Sequence, residues 1–274
     1  MNNQTHPTVN LNPPASASAS AHPLAARLAG LSTSLARLGS RHRALILLLV
    51  LLLVAVISFG MLFPRRVVPA GASADQFSAE RALAHLPVIA REAHPSGSPA
   101  QARVRDYLLE QLTALGLEVQ VQQAYGVENV VARLHGTDPT GAILLQAHYD
   151  SMGGPGAADN GAGTAALLEI MRALASEPAP HNDIIALFDD GEELPDAFTG
   201  TKAFINAHPW MADVRVAIGM DTAVRGFICT DDTGSENGWM VQALARAYTG
   251  GAWTSLCGGG NYDTQPFRKA GVRV

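Results

Sequence analysis

Histidine and carboxylate residues recur in this chain where the backbone is expected to turn: His148-Tyr149-Asp150, Asp159-Asn160, Glu192-Glu193 and Asp221. Each follows a short apolar run or opens a glycine-rich turn, so a sheet can gather them at one edge although they are far apart in sequence. Such a set suits two metal ions and a water. A hydrolytic site of that kind needs one carboxylate between the ions, nitrogen or oxygen ligands around each, and a base for the bridging water. His148 can ligate through one ring nitrogen, while Asp150, two residues on, accepts from the other and fixes the tautomer. Asp159 lies in the loop from Gly153 to Gly163, where glycines let the backbone approach closely, and is placed to bridge. Glu192 and Glu193 point in different directions from a strand end. Glu193 can then bind metal while Glu192 takes a proton from the water and delivers it to a leaving amine. Asp221 completes the first ion's shell.

Each piece also has a plainer reading. Asp-Asn-Gly is an ordinary turn sequence, a Glu-Glu pair is commonly solvated surface, and one His-x-Asp triplet is a weak signal. Asp189 and Asp190 read as turn residues that support the others. What favours a metal site is the combination: the pieces come in order, each at an expected strand end or glycine loop.

The elements that would position them follow from periodicity. Val104, Leu108, Leu112 and Leu115 recur at helical spacing and Gly116 stands where a cap belongs, which predicts a helix over 101–115. Val119 and Val121 alternate with polar residues, as in a strand exposed on one face. Runs 129–134, 142–147, 183–188 and 214–220 are denser in apolar residues, as strands covered on both faces are. Helices are expected over 163–174, 199–207 and 238–248. The alternation predicts an α/β fold of three layers, helix/sheet/helix, around a twisted, largely parallel central sheet.

With 47% hydrophobic and 16% charged residues, 274 residues suffice for one catalytic domain with an appendage. A net charge of −5 and a pI near 6.0 argue against a nucleic-acid binder, which needs a basic patch for phosphate contacts. Cys229 and Cys257 are too few for a disulfide scaffold or a thiolate zinc site; one bridge or two buried thiols are both open. Residues 1–43 hold no acid, are rich in Ala, Ser, Pro and Asn, and read as disordered. Residues 44–63 carry no charge and are long enough, as a helix, to cross a bilayer. Arg27, Arg37, Arg41 and Arg43 precede this span and Arg65 and Arg66 follow it. The balance puts the amino terminus in the cytoplasm and the catalytic domain outside. Ala72-Ser73-Ala74 resembles a signal-cleavage site, but the long region before the span favours an uncleaved, single-pass anchor. A linker is expected over 64–75 and the catalytic domain over 76–274.

The segments AHYDS (147–151), PGAADNGAGTAALLE (155–169), DDGEE (189–193) and MDTAVRG (220–226) resemble those of the two-zinc aminopeptidases, a family that includes bacterial leucyl aminopeptidases, aminopeptidase Y and the animal glutaminyl cyclases. NYDTQPFRKAG (261–271) is similar to the segment before that family's last motif, and the likeness runs over 77–274, closest to membrane-anchored members. It implies a zinc-dependent aminopeptidase acting on peptides, with His148 and Asp221 on one zinc, Glu193 on the other, Asp159 bridging and Glu192 as general base. It also implies a cis peptide bond at Asp159-Asn160. The chain departs from the family in two ways. Leu194 to Phe198 makes a longer loop near the metals, and no histidine follows Arg268 where the family's second zinc takes one. His181 and His208 read instead as a loop residue and a helix end. The sequence is therefore expected either to be cut short at its carboxyl end or to come from a member with a depleted second site. Glutaminyl cyclase-like acyl transfer and a non-catalytic, peptidase-like binding domain are the alternatives.

Overall fold

A computed structural model describes residues 39–61, 67–221, 227–229, 237–247, 252–254 and 263–274. Of residues 1–43, expected to be disordered, 1–38 lie outside them, as does Cys257 and with it the question of a disulfide, whereas Ser40 to Arg43 are helical. The chain divides into two units, Met1–Ser58 and Phe59–Val274.

The first contains most of helix α1 (Ser40–Met61), a run of leucine, valine and isoleucine whose side chains are exposed along its length. A 21-residue stretch of it, Ser40–Gly60, is long and apolar enough to cross a membrane.

The second unit is the expected three-layer sandwich. Its elements are α2 (Ala79–Leu83), α3 (Leu86–Ile89), α4 (Pro99–Ala114), β1 (Glu118–Ala124), β2 (Val127–Leu134), β3 (Ala142–His148), α5 (Ala162–Ala175), β4 (Asp183–Asp189), α6 (Thr199–Ala207), β5 (Val214–Gly219), β6 (Phe227–Cys229), α7 (Gly238–Ala247), β7 (Ala252–Thr254) and α8 (Gln265–Lys269). A π-helical turn over Ala157–Gly161 leads into α5, and a 3-10 turn, Pro209–Asp213, joins α6 to β5. β6 and β7 form a separate parallel pair.

The central sheet has the order β1-β2-β4-β3-β5. Strand alternation divides its side chains between two cores, as the two-residue period of a strand requires. Ile184, Ala186 and Phe188 of β4 face one way, against Val104, Leu108 and Leu112 of α4 and Leu167, Leu168 and Met171 of α5. Ile185 and Leu187 face the other way, against Phe204 of α6, Trp210 and Phe267 of α8.

The sheet is less parallel than the sequence predicts. β3 pairs in parallel with β4 and β5, but β2 runs antiparallel to both β1 and β4. The β1/β2 pairing is local: Tyr125 and Gly126, with φ of 54° and 80°, form the two-residue turn of positive φ that closes these strands into a hairpin. The parallel part is the part that matters for function, because the carboxyl ends of β3, β4 and β5 open on the same edge.

The stretch after the span also differs from expectation. Residues 68–75, part of the linker expected over 64–75, are bound to the domain by a buried ion-pair cluster and its surroundings. Glu169 of α5 is fully buried and accepts from Arg81 Nε at 2.9 Å and Arg172 Nε at 2.6 Å. The remaining guanidinium nitrogens donate to the carbonyls of Ala70 (2.7 Å) and Ala72 (3.1 Å) from Arg81, and of Ala74 (2.6 Å) and Gln76 (3.0 Å) from Arg172. Composition suggested flexibility here; the carbonyls are ordered because two arginines need acceptors.

Candidate metal centre

His148 is the last residue of β3 and sits opposite Asp189, the last residue of β4. Its ring is buried, with Nε2 3.1 Å from Asp159 Oδ1 and 3.8 Å from Asp221 Oδ1. One donor atom from each of these three residues lies within 4.8 Å of the others, in a group with one buried histidine and two carboxylates open to solvent. Among the described residues this is the group able to hold a metal ion, and its nitrogen and oxygen donors, without thiolates, suit a divalent cation. In the absence of an ion the carboxylates hold a proton on the ring, so the His148 pKa is raised against the opposing effect of burial.

Three local devices set this geometry. Asp159 is carried on the π-helical turn, and the peptide bond to Asn160 is cis. Asn160 is buried; its Nδ2 donates to Met220 O at 2.8 Å and its Oδ1 accepts from Gly163 N at 3.2 Å, which ties the Asp159 turn to the residue before Asp221. A Cβ on Gly163 would fall 2.2 Å from Asn160 Oδ1 and 2.7 Å from Met220 O, so only glycine fits there. β3 accepts from both sides: Thr164 Oγ1 of α5 donates to His148 O at 2.8 Å and Met220 N, just after β5, to Gln146 O at 2.8 Å, closing the loop of contacts.

Asp150 joins the histidine to the glutamates. It is buried, its Oδ1 is 3.4 Å from His148 Nδ1 and its main-chain carbonyl 3.2 Å from the same atom. Its two carboxylate oxygens accept from the backbone N–H groups of Glu192 and Glu193, each at 3.2 Å. Both glutamate side chains keep a raised pKa. Burial pushes Glu192 up to about 7, with His148 opposing and Glu193 and Asp221 adding to it. Burial and then the Asp159 charge raise Glu193. Glu193 is thus electrostatically coupled to Asp159 while lying outside the three-residue donor group.

Below the site is a buried polar layer. Asp189 Oδ2 accepts from Thr201 Oγ1 at 3.0 Å, and Thr201 in turn accepts from Gln146 Nε2 at 2.6 Å. Asp190 Oδ2 accepts from Glu128 N at 3.0 Å, and Asp190 N donates to Asn129 Oδ1 at 3.1 Å. Both aspartates are pushed up to about 6, by burial first. Asp189, read as a turn residue, is instead the last residue of β4, and Asp190 follows it directly. Asp263, within the NYDTQPFRKAG segment but assigned no role there, is buried with neither carboxylate oxygen hydrogen-bonded. Its pKa is raised, by burial first and by the nearby Asp189 charge, and it also senses His148, Asp221 and Glu192. Its position against the site was invisible to strand-end logic, because it precedes α8 rather than following a strand.

The histidines set aside by sequence lie elsewhere. His208 caps α6, stacks on Phe204 with ring centroids 4.8 Å apart, and accepts from Trp210 N at 3.2 Å. His181 is in the loop before β4, where its carbonyl accepts from Asp138 N at 3.1 Å. In the longer loop, Phe198 is buried with φ of 65° and Lys202 Nζ pairs with Asp196 at 2.6 Å. MDTAVRG after Asp221 and Asn261-Tyr262 lie outside the described residues.

Known proteins similar to this chain include peptidases and glutaminyl cyclases. The model of peptidase family M28 matches residues 129–274. Endoplasmic reticulum metallopeptidase 1 of Rattus norvegicus is 32% identical over 169 residues, 52% of this chain and 19% of that protein. The vacuolar membrane protease of Candida dubliniensis is 31% identical over 153 residues, 48% of this chain and 16% of the other. The chain therefore spans about a fifth of the length of these relatives. Among solved structures, the LapA aminopeptidase of Legionella pneumophila aligns with a TM-score of 0.63 at 14% identity, covering 72% of this chain and 60% of that one. Porphyromonas gingivalis glutaminyl cyclase gives 0.63 at 24% identity, covering 72% and 81%. The family match covers more than half of the chain and includes His148, Asp159, Glu192, Glu193 and Asp221 at the edge of the sheet: this chain belongs to peptidase family M28, the metal-dependent peptidases.

Proposed function

We propose that the chain is a membrane-anchored zinc aminopeptidase that removes amino-terminal residues from peptides. The observation that carries this reading is the convergence of His148, Asp159 and Asp221 within 4.8 Å, with Glu192 tied to the same cluster through Asp150. His148 and Asp221 would hold one zinc, Glu193 would hold a second, and Asp159 would lie between them. When bound, the metal would lower the pKa of a water and polarise the scissile carbonyl.

The chain's own groups do the rest. Asp150 orients the His148 ring from its Nδ1 side and, through the Glu192 and Glu193 N–H groups, fixes the start of the glutamate loop. Glu192 accepts the proton of the attacking water and returns it to the leaving amine; a carboxylate raised toward neutrality is suited to both transfers. The open carboxylates near the cluster can pair with a free α-amine, which favours exopeptidase action. Residues 44–63 would anchor the chain with its amino terminus in the cytoplasm and the domain over 76–274 outside.

The test is zinc content and hydrolysis of aminoacyl anilides by the full chain in detergent. Zinc-loaded wild type should cleave and Glu192→Gln should not; a loaded wild type that cleaves none of the anilides sinks the peptidase reading. A second reading, acyl transfer of the glutaminyl cyclase kind on one ion, is favoured by the single three-donor group among the described residues. Conversion of an amino-terminal glutamine peptide to its cyclised product without hydrolysis would select it.

A further inference from the structure

The first helical turns after the membrane helix carry an exposed apolar stripe that the peptidase reading leaves unused. From Ser78 to Ala90 the backbone is nearly continuous helix: His85 N donates to Ala82 O at 3.1 Å and Ile89 N to His85 O at 3.1 Å, bridging α2 and α3. Ala82 and Ile89 are buried against the domain. Leu83, Ala84, Pro87 and Val88, at positions i, i+1, i+4 and i+5 of this helical run, are all exposed, Leu83 by 58% and Val88 by 44%. Arg91 is exposed at the end of the stripe. Glu80, the acidic residue nearest in sequence, is turned aside to accept from Ala70 N at 2.8 Å.

Chain connectivity indicates what lies next to this face. Ser78 Oγ, at the cap of α2, donates to Val68 O at 2.8 Å, and the Arg81–Glu169–Arg172 cluster binds residues 70–76. Only residues 62–67 separate α1 from this attachment in sequence, a length of chain that can span at most about 20–25 Å. Leu83 is five residues along the helix from Ser78, roughly 8 Å at the helical rise. Phe77, next to this cap in sequence, and Val67, next to Val68, are exposed by 41% and 54%.

We propose that Leu83, Ala84, Pro87 and Val88 form a second membrane contact, an apolar face seated in the lipid headgroup boundary with Arg91 among the phosphates. This rests on the reading of 44–63 as a membrane anchor. The stripe would fix how the domain stands on the bilayer instead of leaving it free on its tether, because an anchor plus one apolar face constrains orientation where an anchor alone does not.

The test uses the full chain reconstituted in phosphatidylcholine/phosphatidylserine vesicles, with an NBD fluorophore on a cysteine introduced in turn at Leu49, Leu83, Val88 and Asp138. Asp138 is exposed in the loop before β3. The parent chain is labelled in parallel to subtract Cys229 and Cys257. Doxyl-labelled lipid should quench Leu83→Cys and Val88→Cys about twofold or more above Asp138→Cys, as for groups seated roughly 5–10 Å into the interface. Quenching at Leu49→Cys alone overturns the stripe while leaving the anchor intact, whereas no quenching at Leu49→Cys overturns the anchor itself. A blue-shifted but unquenched label at Leu83→Cys or Val88→Cys would mean that protein covers the face, and would also overturn the proposal.

Discussion

His148 illustrates how one residue carries two sets of obligations. Its Nε2 faces Asp159 and Asp221, its Nδ1 faces Asp150, and its carbonyl is held by Thr164. Replacing Asp150 by Asn keeps the shape but weakens the acceptor behind the ring. Metal affinity should fall about 10–100-fold, as measured by competition with a chromophoric chelator, with the fold intact by circular dichroism. Glu192→Gln should leave metal content at the wild-type value and lower kcat by about 10²–10⁴-fold, because it removes proton transfer without removing a ligand. Loss of zinc in that variant would instead make Glu192 a ligand. These residues were legible in sequence because histidine and acid at strand ends have a narrow range of chemical uses. Asp263 was not, because its significance comes from which buried groups surround it and not from its neighbours in the chain.

At the scale of elements, α5 does two jobs through its two ends. Its start is fixed by Gly163, where a Cβ would strike Asn160 and Met220; Gly163→Ala should destabilise the domain by about 1–3 kcal/mol in urea unfolding and lower metal affinity with it. Its middle holds Glu169. Although burial alone would raise this carboxyl, hydrogen bonds from Arg172, Ser78 N and Arg81 bring its pKa below the ordinary value. A depressed carboxylate contributes stability that is present above its unfolded pKa and disappears as pH falls through the folded value. The wild-type domain should therefore lose stability on acidification below about pH 4–5, the range of an ordinary glutamate. Glu169→Gln should show a flatter acid slope in thermal melts and start from lower stability at neutral pH, since two guanidinium groups lose their shared anion. Periodicity announced α4, α5 and α6 with bounds close to those observed, since an amphipathic face repeats every three to four residues. It could not announce α2, α3 or α8, of five, four and five residues, which are too short to show a period.

For the whole molecule, the uncharged run over 44–63 predicts that the chain stays in the pellet after alkaline carbonate extraction. A phosphatase reporter fused after Val274 should be active only outside the cytoplasm. Release by carbonate would favour cleavage at the Ala72-Ser73-Ala74 site over an anchor. By itself the sequence determined the apolar span, the alternation of strands and helices, and the order in which histidine and acidic residues follow apolar runs or open glycine-rich turns. All of these are properties of composition or of repeats within about ten residues. Only the tertiary structure decided the antiparallel edge set by the Tyr125-Gly126 turn, the attachment of residues 68–76 to Arg81 and Arg172, and the seating of Asp263 beside the site. Those depend on pairings across tens to hundreds of residues. Burial, which removes the competing water and makes each unsatisfied carbonyl or carboxylate costly, selects among such pairings only once the chain is folded.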